Sequence, residues 1–178
     1  MYIYDENLYQ SVWGPLMVSV IASYQYSQLS SKSWYKRLRN PKRHLNERYF
    51  TLLSIISSSL YGYAYYIVKM NYDKDSYFYE LLGYLFNIQL LLDSIWSLTY
   101  IGANASPIPL ISMAGLWIAN LIALFFFGTI DTTALLYFIP YFLWTSFRSY
   151  LNLQLSWLLN ADNTNVDSNQ PTHPPAAK

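Results

Sequence analysis

Hydrophobic positions along the chain gather into five long stretches. They run roughly Ser11 to Leu29, Tyr49 to Val68, Phe78 to Ile101, Pro107 to Gly128 and Thr133 to Leu159. Each is close to the ~20 residues an α-helix needs to cross ~30 Å of hydrocarbon. The run from Leu116 to Phe127 has no polar face, as a helix embedded in lipid would have none. Strands crossing a membrane would have to close a barrel, and would show ten-residue segments of alternating polarity. The pattern therefore predicts an all-α membrane protein, a bundle of five transmembrane helices. The first two stretches are rich in hydroxyls, with Ser54, Ser57, Ser58 and Ser59 in the second, and Gly14 and Pro15 interrupt the first. Small hydroxyl residues suit close helix contact in membranes; the alternative reading of these two stretches is a polar loop.

The segments between helices are short at 71–77, 102–106 and 129–132, which forces antiparallel neighbours. The long one is loop one, residues 30–48. The bundle is expected to occupy residues 1–160. The tail, 161–178, is rich in Asn, Asp, Pro and Thr, cannot bury a core, and is expected to be disordered.

Composition supports lipid as the solvent. Of 178 residues, 53% are hydrophobic and 12% charged, about half the charge share of an ordinary soluble domain. Mean hydropathy is only +0.12, because 19 tyrosines and a polar tail dilute it. Tyr and Trp are well placed at the headgroup level, where one end is apolar and the other wet. Cysteine is absent, which excludes disulfides, thiolate catalysis and cysteine-bound metal. His44 and His173 are isolated and suggest no metal site. No nucleophile–base constellation or phosphate-binding glycine loop appears, and no cofactor is required by any motif.

Of eleven Lys and Arg, seven sit in loop one: Lys32, Lys36, Arg37, Arg39, Lys42, Arg43 and Arg48. The positive-inside bias then places loop one in the cytosol, the N-terminus outside and the C-terminus in the cytosol. A basic loop beside a membrane also suits contact with anionic lipid. Loop one mixes cations with Trp and Tyr, but it is short and tethered, so no nucleic-acid partner is expected.

Beyond Glu80 at the very start of the third, two ionic groups fall deep inside predicted helices. Gln89, Asp93 and Trp96 share one face of the third, and Trp144, Arg148 and Leu151 share one face of the fifth. A carboxylate or guanidinium in hydrocarbon is expensive, so both should look into the bundle. Each lies about fifteen residues into its helix, and the two helices run in the same direction, so at ~1.5 Å per residue they reach similar depth. The expectation is an Asp93–Arg148 ion pair.

Three stretches resemble the translocator protein / tryptophan-rich sensory protein (TspO/MBR) family. Pro140-Tyr141-Phe142-Leu143-Trp144-Thr145-Ser146-Phe147-Arg148-Ser149-Tyr150-Leu151-Asn152 resembles its Pro-Tyr-x-x-Trp-x-x-Phe-x-x-x-Leu-Asn. Gln89-Leu90-Leu91-Leu92-Asp93-Ser94-Ile95-Trp96-Ser97 is similar to its Gln-Leu-x-Leu-Asn-x-x-Trp-Ser, and Trp34-Tyr35-Lys36-Arg37-Leu38-Arg39-Asn40-Pro41 to its Trp-Tyr-x-x-Leu-x-x-Pro. The resemblance covers about residues 34–160 and is strongest from about 78. The chain departs from the family at 44–50, which lacks the tryptophans that help line the family's pocket, at Asp93, where Asn is usual, and at Arg148, where a small residue is usual. No Lys or Arg follows Tyr150 before Lys178, so the family's proposed cholesterol motif is missing.

What the resemblance implies is a pocket within the bundle, closed by loop one. It would take porphyrin, haem-related tetrapyrroles or sterol-like lipids, for transport or sensing. The implied ligand-binding residues are Trp34, Tyr61, Tyr65, Gln89, Asp93, Trp96, Tyr141, Trp144, Phe147 and Asn152. Trp96 and Trp144 could flank a flat ligand by stacking, and Tyr61, Tyr65 and Tyr141 could supply hydroxyls. The resemblance also implies a homodimer, with Ala114, Gly115 and Ala119 available as small contact residues, and a mitochondrial outer membrane or another cellular membrane as its place. Two other functions stay open: a structural or regulatory membrane subunit without a small ligand, and an enzyme that breaks down bound porphyrin in light.

Overall fold

The computed structural model describes residues 6–33, 46–71, 77–99 and 108–168. Five helices make up nearly all of them: α1 Glu6–Ser31, α2 Glu47–Asn71, α3 Tyr77–Thr99, α4 Ile108–Ile130 and α5 Thr132–Ser168. The hydroxyl-rich first and second stretches are helices, not loops. Their serines settle on their own helix: Ser23 donates to the carbonyl of Ser19, Ser57 to that of Leu53 and Ser59 to that of Ile55. A hydroxyl that bonds to the preceding turn asks nothing of the solvent, so it survives where there is no water. α3 and α4 are long and apolar enough to cross a membrane by length and composition alone. The other three are as long but are diluted by Tyr and Ser.

α5 continues through Ser168, past Ala161, where the tail was expected to lose structure. A formed helix gains one backbone hydrogen bond for each residue added, so a polar extension can follow an apolar span without a core of its own. Pro15 and Pro140 lie inside α1 and α5. Each removes one backbone donor, which transmembrane helices tolerate when neighbours re-satisfy the freed carbonyl.

The helices close into a ring. α1 packs on α2 and α3, α2 on α5, α5 on α4, and α4 on α3. α1 and α2 are drawn together at Gly62, where the α2 backbone meets that of Ser11 and Val12. At the loop-one end, Ser27 and Ser30 of α1 both donate to the carboxylate of Glu47 in the first turn of α2. On the outer surface, the Trp117 indole donates to Ser146 Oγ at 3.0 Å, joining α4 to α5. Of the small residues expected to serve dimer contact, Ala119 is buried in the core and Gly115 rests against the Leu92 side chain. Both face inward because α4 needs its slimmest side there to approach α3.

The outside of the ring is apolar. Ile21, Ile56, Leu91, Ile111, Phe125 and Leu143 are exposed, Phe125 by 69%. The inside holds two apolar clusters. One, toward the loop-one end, contains Tyr26, Leu29, Phe50, Trp96, Met113, Leu116 and Trp144. The other, toward the opposite end, contains Tyr61, Val68, Leu82, Phe86, Phe127, Phe138 and Tyr141.

α4 and α5 meet at a tight corner capped by Asp131. Its Oδ1 accepts from the backbone N–H of Thr133 at 2.6 Å and of Ala134 at 3.3 Å, and its Oδ2 from the Asn71 amide at 3.4 Å. Slight desolvation works to raise its pKa, but these donors prevail and hold it below the ordinary 3.8. A depressed carboxylate pKa means stabilisation that is fully present above the ordinary value and lost as pH falls through the folded one. Asp131→Ala is expected to cost about 0.5–2 kcal/mol at neutral pH. The deficit should shrink once the wild type is titrated below pH 3.8. Thermal unfolding of both proteins in detergent from pH 7 to pH 3 checks it.

Candidate functional site

Between the two apolar clusters lies a polar layer that crosses the ring. Tyr61 of α2 donates its hydroxyl to Gln89 Oε1 of α3. Gln89 donates to Asn120 Oδ1 of α4 at 2.6 Å, and Asn120 donates to Thr145 Oγ1 of α5 at 2.8 Å. All four are buried. Four helices are thus stitched at one level by side-chain hydrogen bonds. In a medium with no water to compete, a fully satisfied chain of this kind specifies which helices sit together.

One turn closer to loop one, Arg148 of α5 and Asp93 of α3 form the expected ion pair. The guanidinium is bidentate, with Nη1 donating to Oδ2 at 3.3 Å and Nη2 to Oδ1. Tyr141 donates its hydroxyl to the same Oδ2 at 3.3 Å. The guanidinium carbon lies over the Trp96 ring, 4.0 Å from its centre. Arg148 is 1% exposed and Asp93 3%. Over residues 7–31, 49–68, 81–99, 108–130 and 132–157 they are the only Asp, Glu, Lys or Arg. The chain therefore places its one internal cation against its one internal anion, and neutralises both.

Most of the residues implied by the resemblance are brought together here. Gln89, Asp93, Trp96, Tyr61, Tyr141 and Trp144 are all buried, and Tyr61 and Tyr141 stack face to face at 4.4 Å. Their hydroxyls are committed to Gln89 and Asp93. Trp144 meets Phe50 edge-on at 5.1 Å, and Phe50 stacks on Tyr26 at 4.0 Å.

Three implied residues are placed differently. Tyr65 stacks on Phe86 at 4.1 Å, in the cluster away from loop one. Phe147 is 37% exposed on the outer surface, because the residue before Arg148 points about 100° away from it around the helix. The Asn152 amide is engaged with the Pro109 carbonyl at 3.1 Å, tying α5 to the start of α4. Trp34 lies outside the described residues, as do His44 and His173. Asn120 and Thr145 belong to the polar layer and were missed, although a lone Asn within the apolar run 116–127 was a signal.

An apolar exterior around a hydrogen-bonded, ion-paired interior defines an integral membrane protein, since the arrangement would be inverted in water. The TspO/MBR family model matches residues 11–158, including the first helix, where no motif was seen, and the chain belongs to that family. The Tryptophan-rich protein TspO of Chlorobaculum tepidum is similar to it, 28% identical over 134 residues, which cover 75% of this chain and 78% of the relative.

Proposed function

We propose that the protein binds a flat, mostly apolar ligand, a porphyrin, haem-related tetrapyrrole or sterol-like lipid, inside the loop-one half of the bundle, in a transport or sensing role. The observation that carries this reading is the aromatic lining of that half. Tyr26, Phe50, Trp96 and Trp144 come from four different helices and meet in one buried cluster. Rings held by separate helices can part to admit a flat molecule, and each offers a face for stacking. Family membership favours the same reading. On it, loop one lies in the cytosol and forms the entrance, with α1 and α2 clamped at its base by Glu47.

The test is a titration of the protein in lipid nanodiscs with protoporphyrin IX in the dark, read by tryptophan fluorescence. Saturable quenching at micromolar porphyrin is expected. Trp144→Phe should weaken it about tenfold, the loss of one good aromatic and polar contact. Quenching that stays linear, as in empty nanodiscs, would favour a structural or regulatory subunit.

A further inference from the structure

Among the described residues, three buried polar groups in the loop-one half find no hydrogen-bond partner: Ser54 Oγ, Trp144 Nε1 and Arg148 Nε. Their side chains belong to residues 1%, 6% and 1% exposed. Ser54 belongs to α2 and the other two to α5, and these helices pack on each other. Tyr61 of α2 stacks on Tyr141 of α5, and these helices run antiparallel. Ser54 precedes Tyr61 by seven residues and Arg148 follows Tyr141 by seven, so the two fall at one level, two turns nearer loop one. Trp144 is one turn from Arg148 and packs on Phe50, itself one turn from Ser54. A buried donor left unpaired is costly, and more so in a bundle surrounded by lipid.

All three groups can donate, and an indole or guanidinium N–H can do nothing else. What they lack is an acceptor. Charge then decides which kind. The two terminal nitrogens of Arg148 are taken by Asp93, so the pair is neutral and only the Nε edge is left. A carboxylate entering here would leave an uncompensated negative charge beside Asp93 in a low-dielectric interior. A carbonyl or ester oxygen would satisfy the donors and add no charge.

We propose that Ser54, Trp144 and the Nε edge of Arg148 form a subsite for a neutral oxygen acceptor, of the carbonyl or ester type, on an otherwise apolar ligand. This deepens the ligand-binding reading above and rests on it. The subsite selects ligands by what their polar end accepts, while the surrounding rings take the apolar body.

Three porphyrins of one macrocycle test it, each titrated into nanodiscs and corrected against empty discs: protoporphyrin IX dimethyl ester, protoporphyrin IX and etioporphyrin, which carries only alkyl groups. The ester is expected to bind about tenfold more tightly than either of the others, the worth of one well-placed hydrogen bond in a dry site. Ser54→Ala should remove most of that advantage and leave the affinity for etioporphyrin within about twofold, whereas Trp144→Phe, whose ring also lines the site, should lower the affinity for all three and the ester's advantage with it. Equal binding of ester and etioporphyrin by the wild type would overturn the subsite while leaving the ligand reading intact. Tightest binding by the free acid would overturn its neutral character, and an ester advantage untouched by both substitutions would overturn its location. If none of the three saturates, the tetrapyrrole reading itself fails, and the subsite with it.

Discussion

Arg148→Met should destabilise the protein by about 3–5 kcal/mol, and Asp93→Asn by a similar amount. Either change leaves one charge buried without its partner, in a bundle whose surroundings cannot hydrate it. The Arg148 change also strips the cation from the Trp96 face, and the Asp93 change weakens the acceptor of Tyr141. The double variant Asp93→Asn with Arg148→Met should recover most of the loss. Replacing a buried pair by neutral groups of similar volume is often close to neutral, whereas breaking it is not. The coupling between the two sites should therefore be large and opposite in sign to the single losses. Thermal unfolding in detergent of the four proteins measures it. A double variant as damaged as the sum of the singles would show that the two charges do not compensate one another. The exchanged pair, Asp93→Arg with Arg148→Asp, should recover only in part, because Tyr141 and Trp96 are arranged for the native order.

That ion pair was legible from the sequence for a simple reason: two charges in hydrocarbon at the same depth have few stable alternatives to each other. The five helices were legible because a lipid span demands length and apolarity together. The order of helices around the ring was not. In soluble proteins the apolar stripe of a helix tells which side faces in. In lipid both sides are apolar, so Phe147 and Trp144, three residues apart in the same motif, gave no hint that one looks outward and the other inward. The polar interior was only half visible. Gln89 was seen through its motif, while its partner Asn120 stood outside any motif and Thr145, the partner of Asn120, filled an unspecified position of one; both had meaning only once four helices met at one level. The orphaned donors were invisible for the same reason, since a missing partner is a property of packing alone.

Gly62→Ala should be the most damaging conservative change on α2. A Cβ built there would lie 2.6 Å from the Ser11 carbonyl oxygen and 2.6 Å from Val12 Cα. Both are backbone atoms of α1, so no side chain can turn aside and the whole helix must back away. Overpacking of this kind costs about 1–3 kcal/mol and sometimes more. It should also loosen what depends on α1 lying close: the Tyr26–Phe50 stack and the clamp of Ser27 and Ser30 on Glu47. Gly62→Leu should exceed it and detach α1 from the ring. Two other helical glycines set the contrast. At Gly115 a Cβ would meet the flexible Leu92 side chain at 3.4 Å, and at Gly83 the Tyr65 hydroxyl at 3.5 Å, both ordinary contacts. There, Gly→Ala should be neutral or stabilise by about 0.4–1 kcal/mol, by restricting the unfolded chain. The same chemical change is thus expected to have opposite signs within one bundle. Unfolding temperatures for the three alanine variants decide it: a Gly62→Ala protein as stable as Gly115→Ala would mean that α1 and α2 do not touch through their backbones, and that α1 can leave α2 without disturbing the aromatic lining beneath loop one.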